Sequence, residues 1–351
     1  LGTLLLERIV NKPVLPRKPD ELTFNKLFQK ETEVNWQKVA AAVSLFNTFT
    51  SISGVPGTGK TTTVAKILTL LQSFSEKTLL IALCAPTGKA AARLSKSLSS
   101  ANSLDGTIPV RLPDETYTIH RLLVPIPDTP EFQFNRKNKL PYDIVLVDEA
   151  SMVDLALMTK LVMAVPQSCR LIFLGDKDQL SSVEAGAVLG DICDTGNEHF
   201  FSVDQSNKIN AIIPEYSHPG DSREPPIADT IVTLRKSYRF SENSAIGTLS
   251  RAIRDGQPAE AKRILRSSNT DECLWENLPS QPAIKDYLRK IVQTYYLPLY
   301  QTGNPQDALS YFDRFRILCA SRQGPYGVES INRQIISILI SMGIISSGET
   351  H

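Results

Sequence analysis

The residues with the most specific chemistry lie in a glycine-rich run that follows an apolar segment and precedes a helical one. The run GVPGTGKT at 54–61 fits the spacing G-x-x-x-x-G-K-[ST], which is typical of phosphate-binding loops. Gly54, Gly57 and Gly59 allow backbone N–H groups to turn inward on phosphate oxygens, and the following helix adds a positive dipole. A chance glycine-rich turn is the alternative, but the strand–loop–helix context favours a nucleoside triphosphate site.

Two side chains in the same run have separate expected roles. Lys60 would place a compact positive charge on the β- and γ-phosphate oxygens, while the Thr61 hydroxyl would bind Mg²⁺. ATP and Mg²⁺ are therefore the expected cofactors. The predicted nucleotide-binding residues of this run are Gly54, Val55, Pro56, Gly57, Thr58, Gly59, Lys60, Thr61 and Thr62.

Two adjacent carboxylates end a second apolar run, IVLVDE at 144–149. Together with a phosphate-binding loop, Asp148 would hold Mg²⁺ through water, and Glu149 would orient and polarise the attacking water. The alternative is that the two carboxylates cap the helical segment after them. The presence of the loop favours catalysis, so Lys60 and Glu149 are predicted to be catalytic residues.

A third apolar run ends in GDKDQ at 175–179. The Gln179 amide at such a strand end can hydrogen-bond the γ-phosphate and respond to its presence, as switch elements do in other nucleotide-binding proteins. We therefore predict Gln179 to be a third catalytic residue.

Hydroxyl and basic side chains follow two further runs. The run APTGKAAAR at 85–93 puts Thr87, Lys89 and Arg93 at a strand-to-helix junction, where hydroxyl, N–H and basic groups can hold phosphates. A capped helix with solvated basic residues is the alternative. His120, in the run TIHRLL, is as compatible with a packed loop histidine as with a contact residue.

These side chains can act together only if a sheet brings them to one edge. Short apolar runs alternate with longer helical ones, and strands that are apolar throughout imply a parallel sheet covered on both faces. The predicted fold class is therefore α/β, doubly wound, with helices on both faces of the sheet. The predicted strands of this sheet lie at 49–54, 78–86, 143–150 and 169–176.

Two segments interrupt the alternation. The proline-rich segment 124–141 predicts an excursion or hairpin, and 196–230 predicts a long mobile loop near a domain boundary. After it, a buried strand is expected at 314–321, followed by a helix from about Val328, as the start of a second α/β domain. The predicted divisions are 1–34, the end of a truncated N-terminal region; 35–232, the first domain; and 233–351, an incomplete second domain.

Composition limits the function classes. The 351 residues carry 38 Lys+Arg against 37 Asp+Glu, a balance that excludes a strongly basic chromatin-type protein and an acidic disordered tail. A locally basic groove for nucleic acid stays compatible with it. The five cysteines have no zinc-ligand spacing, so structural thiols are expected. The absence of a signal peptide and of an apolar stretch of about 18 residues predicts a cytosolic protein, and both ends predict a truncated chain.

The order of the motifs resembles that of superfamily 1 DNA helicases, and most closely that of the RecD family of alpha subunits of exodeoxyribonuclease V (RecBCD). The resemblance extends from about 35 to about 332, and SVEAGAVLGDIC and GPYGVESIN are its most specific segments. The other runs that carry it are GVPGTGKTTT, CAPTGKAAARL, TIHRLL, VLVDEASM, FLGDKDQL, LRKSYRF and ILCASRQ.

The resemblance implies two RecA-like domains, the second of them incomplete here, that move 5′→3′ along single-stranded DNA without sequence preference. Gln37 matches a glutamine that reads the adenine edge, and Arg239 matches an arginine finger of the second domain that would stabilise transition-state charge. The residues implied to contact DNA are Pro86, Thr87, Lys89, Arg93, Thr118 and His120.

The resemblance also implies RecB-like and RecC-like partner subunits, a role in double-strand break repair and recombination, and a bacterial cytoplasmic location without membrane contact. The nuclease site would belong to the RecB-like subunit. A stand-alone helicase of the same superfamily and a non-catalytic ATP-binding assembly subunit are the alternatives.

Two departures from the family pattern affect these expectations. Val55 replaces a usual glycine, which requires a negative φ at that position. Later motifs of the second domain, VHKSQG-like and VTRAR-like, do not occur in the sequence. We therefore expect this chain to bind nucleotide but to hydrolyse it slowly and not to unwind DNA.

Overall fold

The computed structural model describes residues 1–28, 33–102, 113, 115–179, 188–196, 198–238, 241, 244–267 and 272–346, with backbone alone for 99–102. The chain divides into two compact units, Leu1–Ile264 and Leu265–His351. None of the helices in the described ranges is long and apolar enough to cross a membrane.

A six-stranded parallel sheet forms the centre of the first unit, in the order β3-β2-β4-β5-β1-β6. This confirms the predicted α/β class and four of the strands, while the structure adds one strand at each end of the sheet. The strands are β1 Phe49–Gly54, β2 Ile81–Ala85, β3 Tyr117–Thr118, β4 Ile144–Val147, β5 Arg170–Gly175 and β6 Ile231–Leu234.

Helices cover both faces of the sheet, because alternate strand residues contribute to two separate apolar cores. Ile52 and Leu83 belong to one core, whereas Phe49 and Ala82 belong to the other. The helices of this unit are α1 Gly2–Val10, α2 Glu21–Leu27, α3 Trp36–Phe46, α4 Lys60–Ser73, α5 Gly88–Asn102, α6 Ile119–Leu123, α7 Leu155–Ala164, α8 Val188–Cys193, α9 Val203–Asn210 and α10 Ala245–Arg254, with α11 Pro258–Ser267 at the boundary. Short 3-10 turns occupy Ala150–Met152 and Pro226–Thr230.

The N-terminal helix α1 is part of the first unit, in contrast to the predicted division at residue 34. Leu5 and Ile9 lie in the apolar core, and the buried Arg8 guanidinium donates hydrogen bonds to three backbone carbonyls.

The second boundary also differs from the predicted one, because the first unit ends after Ile264 instead of after residue 232. β6 continues to Leu234 and pairs with β1, so the chain is still within the first sheet beyond residue 232.

The described residues of 196–230 include a helix and a 3-10 turn packed on the core, so the prediction of one long loop was wrong. The segment contains α9, and Ile209, Ile213 and Tyr216 are buried in the same core as Phe201. α9 ends at Asn210, and Ile212 and Ile213 in the turn after it are buried in the same core, so these contacts outweigh the prolines and glycines around them. In contrast, the expected hairpin in 124–141 is confirmed by an antiparallel bridge between Pro125 and Phe132.

The regular elements among the described residues of the second unit are all helices. Its core combines Ile284, Leu288 and Val292 with residues of the last helix. The elements are α12 Gln281–Ile291, a π-helical turn Val292–Tyr296, α13 Leu297–Gln301, α14 Pro305–Phe312 and α15 Val328–Ser341.

The buried strand predicted at 314–321 is absent, although the helix expected from Val328 is present. Ile317 and Cys319 pack against the helical core, while Leu318 between them is 91% exposed. A strand needs a hydrogen-bonded neighbour, and the described residues of this unit supply none, so the apolar run stays unpaired and half-exposed.

All five cysteines are unpaired. Cys84, Cys169 and Cys193 are buried in the first unit, and burial raises the pKa of the Cys193 thiol to about 11. They therefore behave as the structural thiols that the sequence predicted.

Candidate nucleotide site at the carboxyl edge of the sheet

All six strands end at the same edge of the sheet, because every pair is parallel. β1 carries the glycine-rich loop at its end and lies between β5 and β6. β4, which ends in the two carboxylates, lies between β5 and β2. Ligands of open α/β sheets bind outside this edge, so the predicted site residues come to the place where they can act together.

The loop at 54–61 has the backbone geometry that its glycines allow. Gly57 and Gly59 have φ values of 92° and 75°, in the left-handed region that favours glycine. Val55 is not among the residues with positive φ, so the departure from the usual glycine causes no backbone strain. Gly59 is the N-cap of α4, and Lys60 at the first position of that helix donates a hydrogen bond to the carbonyl of Gly54.

Asp148 and Glu149 at the end of β4 are two adjacent carboxylates that repel each other, and Asp148 is largely buried. Burial and the charge of Glu149 raise the pKa of Asp148 to about 6, although Lys60 and Arg93 partly oppose this shift. The backbone N–H of Glu149 donates to the Asp148 carboxylate at 2.9 Å. Glu149 itself has φ 52° and ψ 41°, a left-handed conformation that costs about 1–3 kcal/mol for a residue with a side chain.

The turn after β5 is tied to the end of β1. The Lys177 N–H donates to the Ser53 hydroxyl at 3.0 Å, and the Gln179 N–H donates to the carbonyl of Asp176 at 3.2 Å. Asp176 is buried and accepts the N–H of Asp178. Gln179 is thereby placed, with an exposed side chain, on the turn next to the glycine-rich loop.

An open pocket, called the base cavity below, lies between the start of α3, the glycine-rich loop and the residues after β6. The Gln37 amide donates to the carbonyl of Thr58 at 3.1 Å, and the Tyr238 N–H donates to the carbonyl of Gly57 at 2.8 Å. Asn35 caps α3 by accepting the N–H groups of Gln37 and Lys38, which fixes where the helix begins. The lining residues are Val34, Asn35, Trp36, Gln37, Thr58, Leu234, Arg235, Lys236 and Tyr238.

Sequence reasoning identified Gln37 but missed the aromatic and cationic walls of this cavity. Trp36 and Tyr238 are the aromatic lining residues, and Arg235 and Lys236 are the basic ones. A signal was present, since Trp36 directly precedes Gln37 and the other three lie in the run LRKSYRF. Aromatic rings and Arg can stack on a planar base, so these four residues extend the candidate site.

Trp36 is itself held by other rings. Its indole stacks on the His199 imidazole at 3.5 Å between centroids, with 12° between the planes, and meets Tyr216 edge-on at 6.1 Å. Burial and the nearby Arg235 lower the pKa of His199 to about 4, so the imidazole is neutral at physiological pH.

The residues implied to contact DNA lie at the other end of the same edge. β2 and β3 are neighbours, with Ala85 opposite Thr118, so their carboxyl ends coincide. The hydroxyls of Thr87 and Thr118 accept the N–H groups of Ala90 and Arg121, each at 3.2 Å, as helix caps. Both threonines therefore cap helices, which was the alternative interpretation for the segment at 85–93. The exposed side chains beside these caps are Lys89, Arg93 and His120, with Pro86 half-buried.

Two expectations fall outside the described residues. Arg239, the proposed arginine finger, is one of them, and the other is the first half (182–187) of the family-specific segment SVEAGAVLGDIC, whose second half forms α8. Every other predicted site residue is described, and all of those lie in the first unit.

Comparison with known proteins extends over most of the chain. Residues 37–185 match the family model described as an AAA domain. The RecBCD enzyme subunit RecD of Mycolicibacterium smegmatis is 38% identical over 312 residues, which are 85% of this chain and 49% of that protein. The ATP-dependent RecD2 DNA helicase of Deinococcus radiodurans is 41% identical over 138 residues, which are 39% of this chain and 17% of that protein.

Among solved structures, a Pif1 helicase from Bacteroides is 19% identical, with a TM-score of 0.38, over 75% of this chain and 56% of that one. The chain spans about half the length of the curated RecD relatives that it matches.

Proposed function

The chain is a relative of the RecD subunits of RecBCD enzymes over most of its length, and from this premise we propose that it is the motor part of an ATP-dependent 5′→3′ DNA helicase. In the whole protein this motor would act with RecB-like and RecC-like subunits in double-strand break repair and recombination, in the bacterial cytoplasm.

One observation carries the proposal. The glycine-rich loop, the carboxylate pair and Gln179 follow β1, β4 and β5, and the hydroxyl and basic residues follow β2 and β3 of the same parallel sheet. A nucleotide and a phosphate backbone would therefore bind to one rigid edge. Such an arrangement can convert the state of the nucleotide into a change of grip on a strand.

Each predicted site residue would have a separate role at the nucleotide. Lys60 would neutralise charge on the β- and γ-phosphates, and Glu149 would orient the attacking water. Gln179 would respond to the γ-phosphate, and Gln37 would hydrogen-bond the base beside Trp36. Arg239 would complete the site by stabilising charge in the transition state.

The residues present fit a Mg²⁺ ion. The Thr61 hydroxyl and the Asp148 carboxylate are hard oxygen donors, and the raised pKa of Asp148 reports buried negative charge that a cation would compensate. The described residues contain no cluster of three or more metal-binding side chains. That suits an ion whose remaining ligands are phosphates and water, and the bound ion would supply neutralisation of phosphate charge.

The grip on DNA would be independent of base sequence. Thr87, Thr118 and the nearby basic residues present hydroxyl and cationic groups, which are suited to phosphates and not to base edges. Pro86, Lys89, Arg93 and His120 complete the proposed contact set.

The experiment is binding and hydrolysis by the 351-residue chain beside Lys60→Gln. We expect Mg-ADP and an oligo-dT strand to bind the wild-type chain, and the variant to lose most of its affinity for Mg-ADP while keeping its affinity for DNA. A chain that binds neither ligand contradicts the proposal. Since the later motifs do not occur in this sequence, we expect slow hydrolysis. Strong DNA-stimulated turnover that Lys60→Gln abolishes would support the motor and refute the need for those motifs.

The extent of the matches favours a RecD-type subunit over a stand-alone helicase. The RecD subunit aligns over 312 residues, whereas the stand-alone RecD2 enzyme aligns over 138 residues. Co-purification of the whole protein with RecB-like and RecC-like subunits would support the subunit, and its isolation alone with full unwinding activity would support the stand-alone enzyme.

A further inference from the structure

Glu198 lies in the turn that follows α8 and forms ion pairs with two other chain segments. One carboxylate oxygen pairs with Lys177, on the turn after β5. The other accepts a hydrogen bond from Arg235, in the segment after β6, at 3.2 Å. Since β1 lies between β5 and β6, this one carboxylate joins the two strand ends that flank the strand carrying the glycine-rich loop.

The next residue fixes the wall of the base cavity from another direction. His199 Nε2 lies 2.9 Å and 3.0 Å from the backbone O and N of Thr233 on β6, and its ring stacks on Trp36. The Arg235 guanidinium lies 6.0 Å from the centroid of the same indole. Two consecutive residues, Glu198 and His199, therefore hold the two cavity-lining side chains Arg235 and Trp36.

The charges of this cluster support a persistent arrangement. Partial burial would raise the pKa of Glu198, but the hydrogen bond and charge of Lys177 outweigh this and hold it below its ordinary value. The carboxylate is therefore ionised at neutral pH. The side chains of Lys177 and Glu198 are 24% and 36% exposed, so solvent weakens this ion pair but does not separate its partners.

We propose that Glu198 is a positioning residue for the nucleotide base: anchored by Lys177, it sets Arg235 against Trp36 and so shapes the wall on which the base rests. This inference rests on the proposed nucleotide function. A general structural role for Glu198 would affect the binding of every phosphate ligand, whereas a role in positioning the base would affect only ligands that have a base. The reason is that the phosphates would be held by the glycine-rich loop and not by this wall. Loss of Glu198 should therefore weaken the binding of a nucleotide but not that of a base-free polyphosphate.

The test uses Glu198→Gln in the 351-residue chain, with a fluorescent ADP analogue displaced by ADP or by inorganic tripolyphosphate. We expect the affinity for ADP to fall about fivefold, as for the loss of two partly exposed ion pairs, and the affinity for tripolyphosphate to stay within about twofold. Lys177→Met should reproduce the loss, and the double variant should lose no more than either single one, because both changes release the same carboxylate.

Glu260→Gln is the matched control. Glu260 is 39% exposed and pairs with Arg263 on α11, away from the cavity, so its variant should bind both ligands normally. Thermal unfolding followed by circular dichroism shows whether each variant is folded. If Glu198→Gln does not fold, the same binding measurements are made with Lys177→Met.

Three results would overturn the inference. The first is unchanged ADP affinity in Glu198→Gln, the second is an equal loss for ADP and tripolyphosphate, and the third is additive losses in the double variant. A wild-type chain that binds no ADP would instead overturn the proposed function, and this inference with it.

Discussion

Asp148 shows how two neighbouring carboxylates can be prepared for a cation. Its burial beside Glu149 raises its pKa to about 6, close enough to neutrality for a proton to compete with a metal ion. The backbone at Glu149 adopts a left-handed conformation at the same place. Residues in such conformations cluster at functional sites, which supports the roles proposed for this pair.

The first prediction follows from this pKa. Asp148 must be ionised to hold Mg²⁺, so the affinity for Mg-ADP should be constant above about pH 7 and fall about tenfold per pH unit below about pH 6. Isothermal titration at several pH values measures this dependence. His199, whose pKa is about 4, stays neutral throughout that range.

Asp148→Asn is the control for that titration. Its affinity for Mg-ADP should be low and should fall less steeply than that of the wild-type chain between pH 7 and pH 5, because only the terminal phosphate of ADP, with a pKa of about 6, then takes up a proton. A variant that kept the pH dependence of the wild-type chain would assign the titration to another residue.

The candidate phosphate-binding, Mg²⁺-binding and catalytic residues could be proposed from sequence because each belongs to a short spacing within one segment. Lys60 and Thr61 belong to one run of eight residues, and Asp148 and Glu149 end another. The base cavity could not be predicted in the same way. Its wall combines Trp36, the His199 turn and Arg235, which come from three separate segments and meet only after the sheet has formed.

At the scale of elements, α1 is attached to the first unit by a buried cation, Arg8, as well as by the apolar contacts of Leu5 and Ile9. The Arg8 guanidinium donates to the carbonyls of Cys169, Val165 and Pro166 at 2.7–2.9 Å, just before β5. The Thr48 hydroxyl donates to the carbonyl of Arg8 in return. The start of the chain is thereby attached beside the neighbouring strands β1 and β5.

The second prediction concerns this attachment. Arg8→Met preserves the length of the side chain but removes its hydrogen bonds to three carbonyls, of which that of Pro166 keeps a second donor, the Cys169 N–H, so the free energy of unfolding should fall by about 2 kcal/mol. Urea unfolding followed by circular dichroism measures it. Arg17→Met is the control, since Arg17 is half-exposed, and its loss should change stability by less than about 0.5 kcal/mol. Equal effects of the two substitutions would refute the importance of α1.

The elements that sequence placed wrongly are those whose partners are remote. The apolar run at 314–321 has strand-like composition but no neighbouring strand among the described residues of its unit. In 196–230 the prolines and glycines suggested a loop, but Ile209 and Tyr216 are buried in the main core. Local pattern indicates what a segment can form, and tertiary partners decide what it does form.

At the scale of the whole molecule, every described residue of the candidate nucleotide site lies in the first unit. The third prediction is that residues 1–264, produced alone, fold and bind Mg-ADP with the affinity of the 351-residue chain. A chain ending at residue 232 should lose binding, because it lacks the end of β6 and the Arg235 and Tyr238 wall of the cavity.

Equilibrium binding of the fluorescent ADP analogue to both truncated chains measures this difference. Loss of binding in residues 1–264 would contradict the assignment of the whole site to the first unit. Retained binding in residues 1–232 would show that the residues after β6 are dispensable for the base.

The common edge of the sheet has a consequence for how such a protein can diverge. From β1, which carries the glycine-rich loop, to β3, where Thr118 lies, there are four strand-to-strand steps of about 4.8 Å, or roughly 19 Å in all. Backbone hydrogen bonds set each step, whatever the side chains are. Descendants of a common ancestor could therefore exchange most of their residues and keep the same distance between the candidate nucleotide site and the proposed DNA contacts. Gaining or losing one strand between these two sites would change that distance by a whole step.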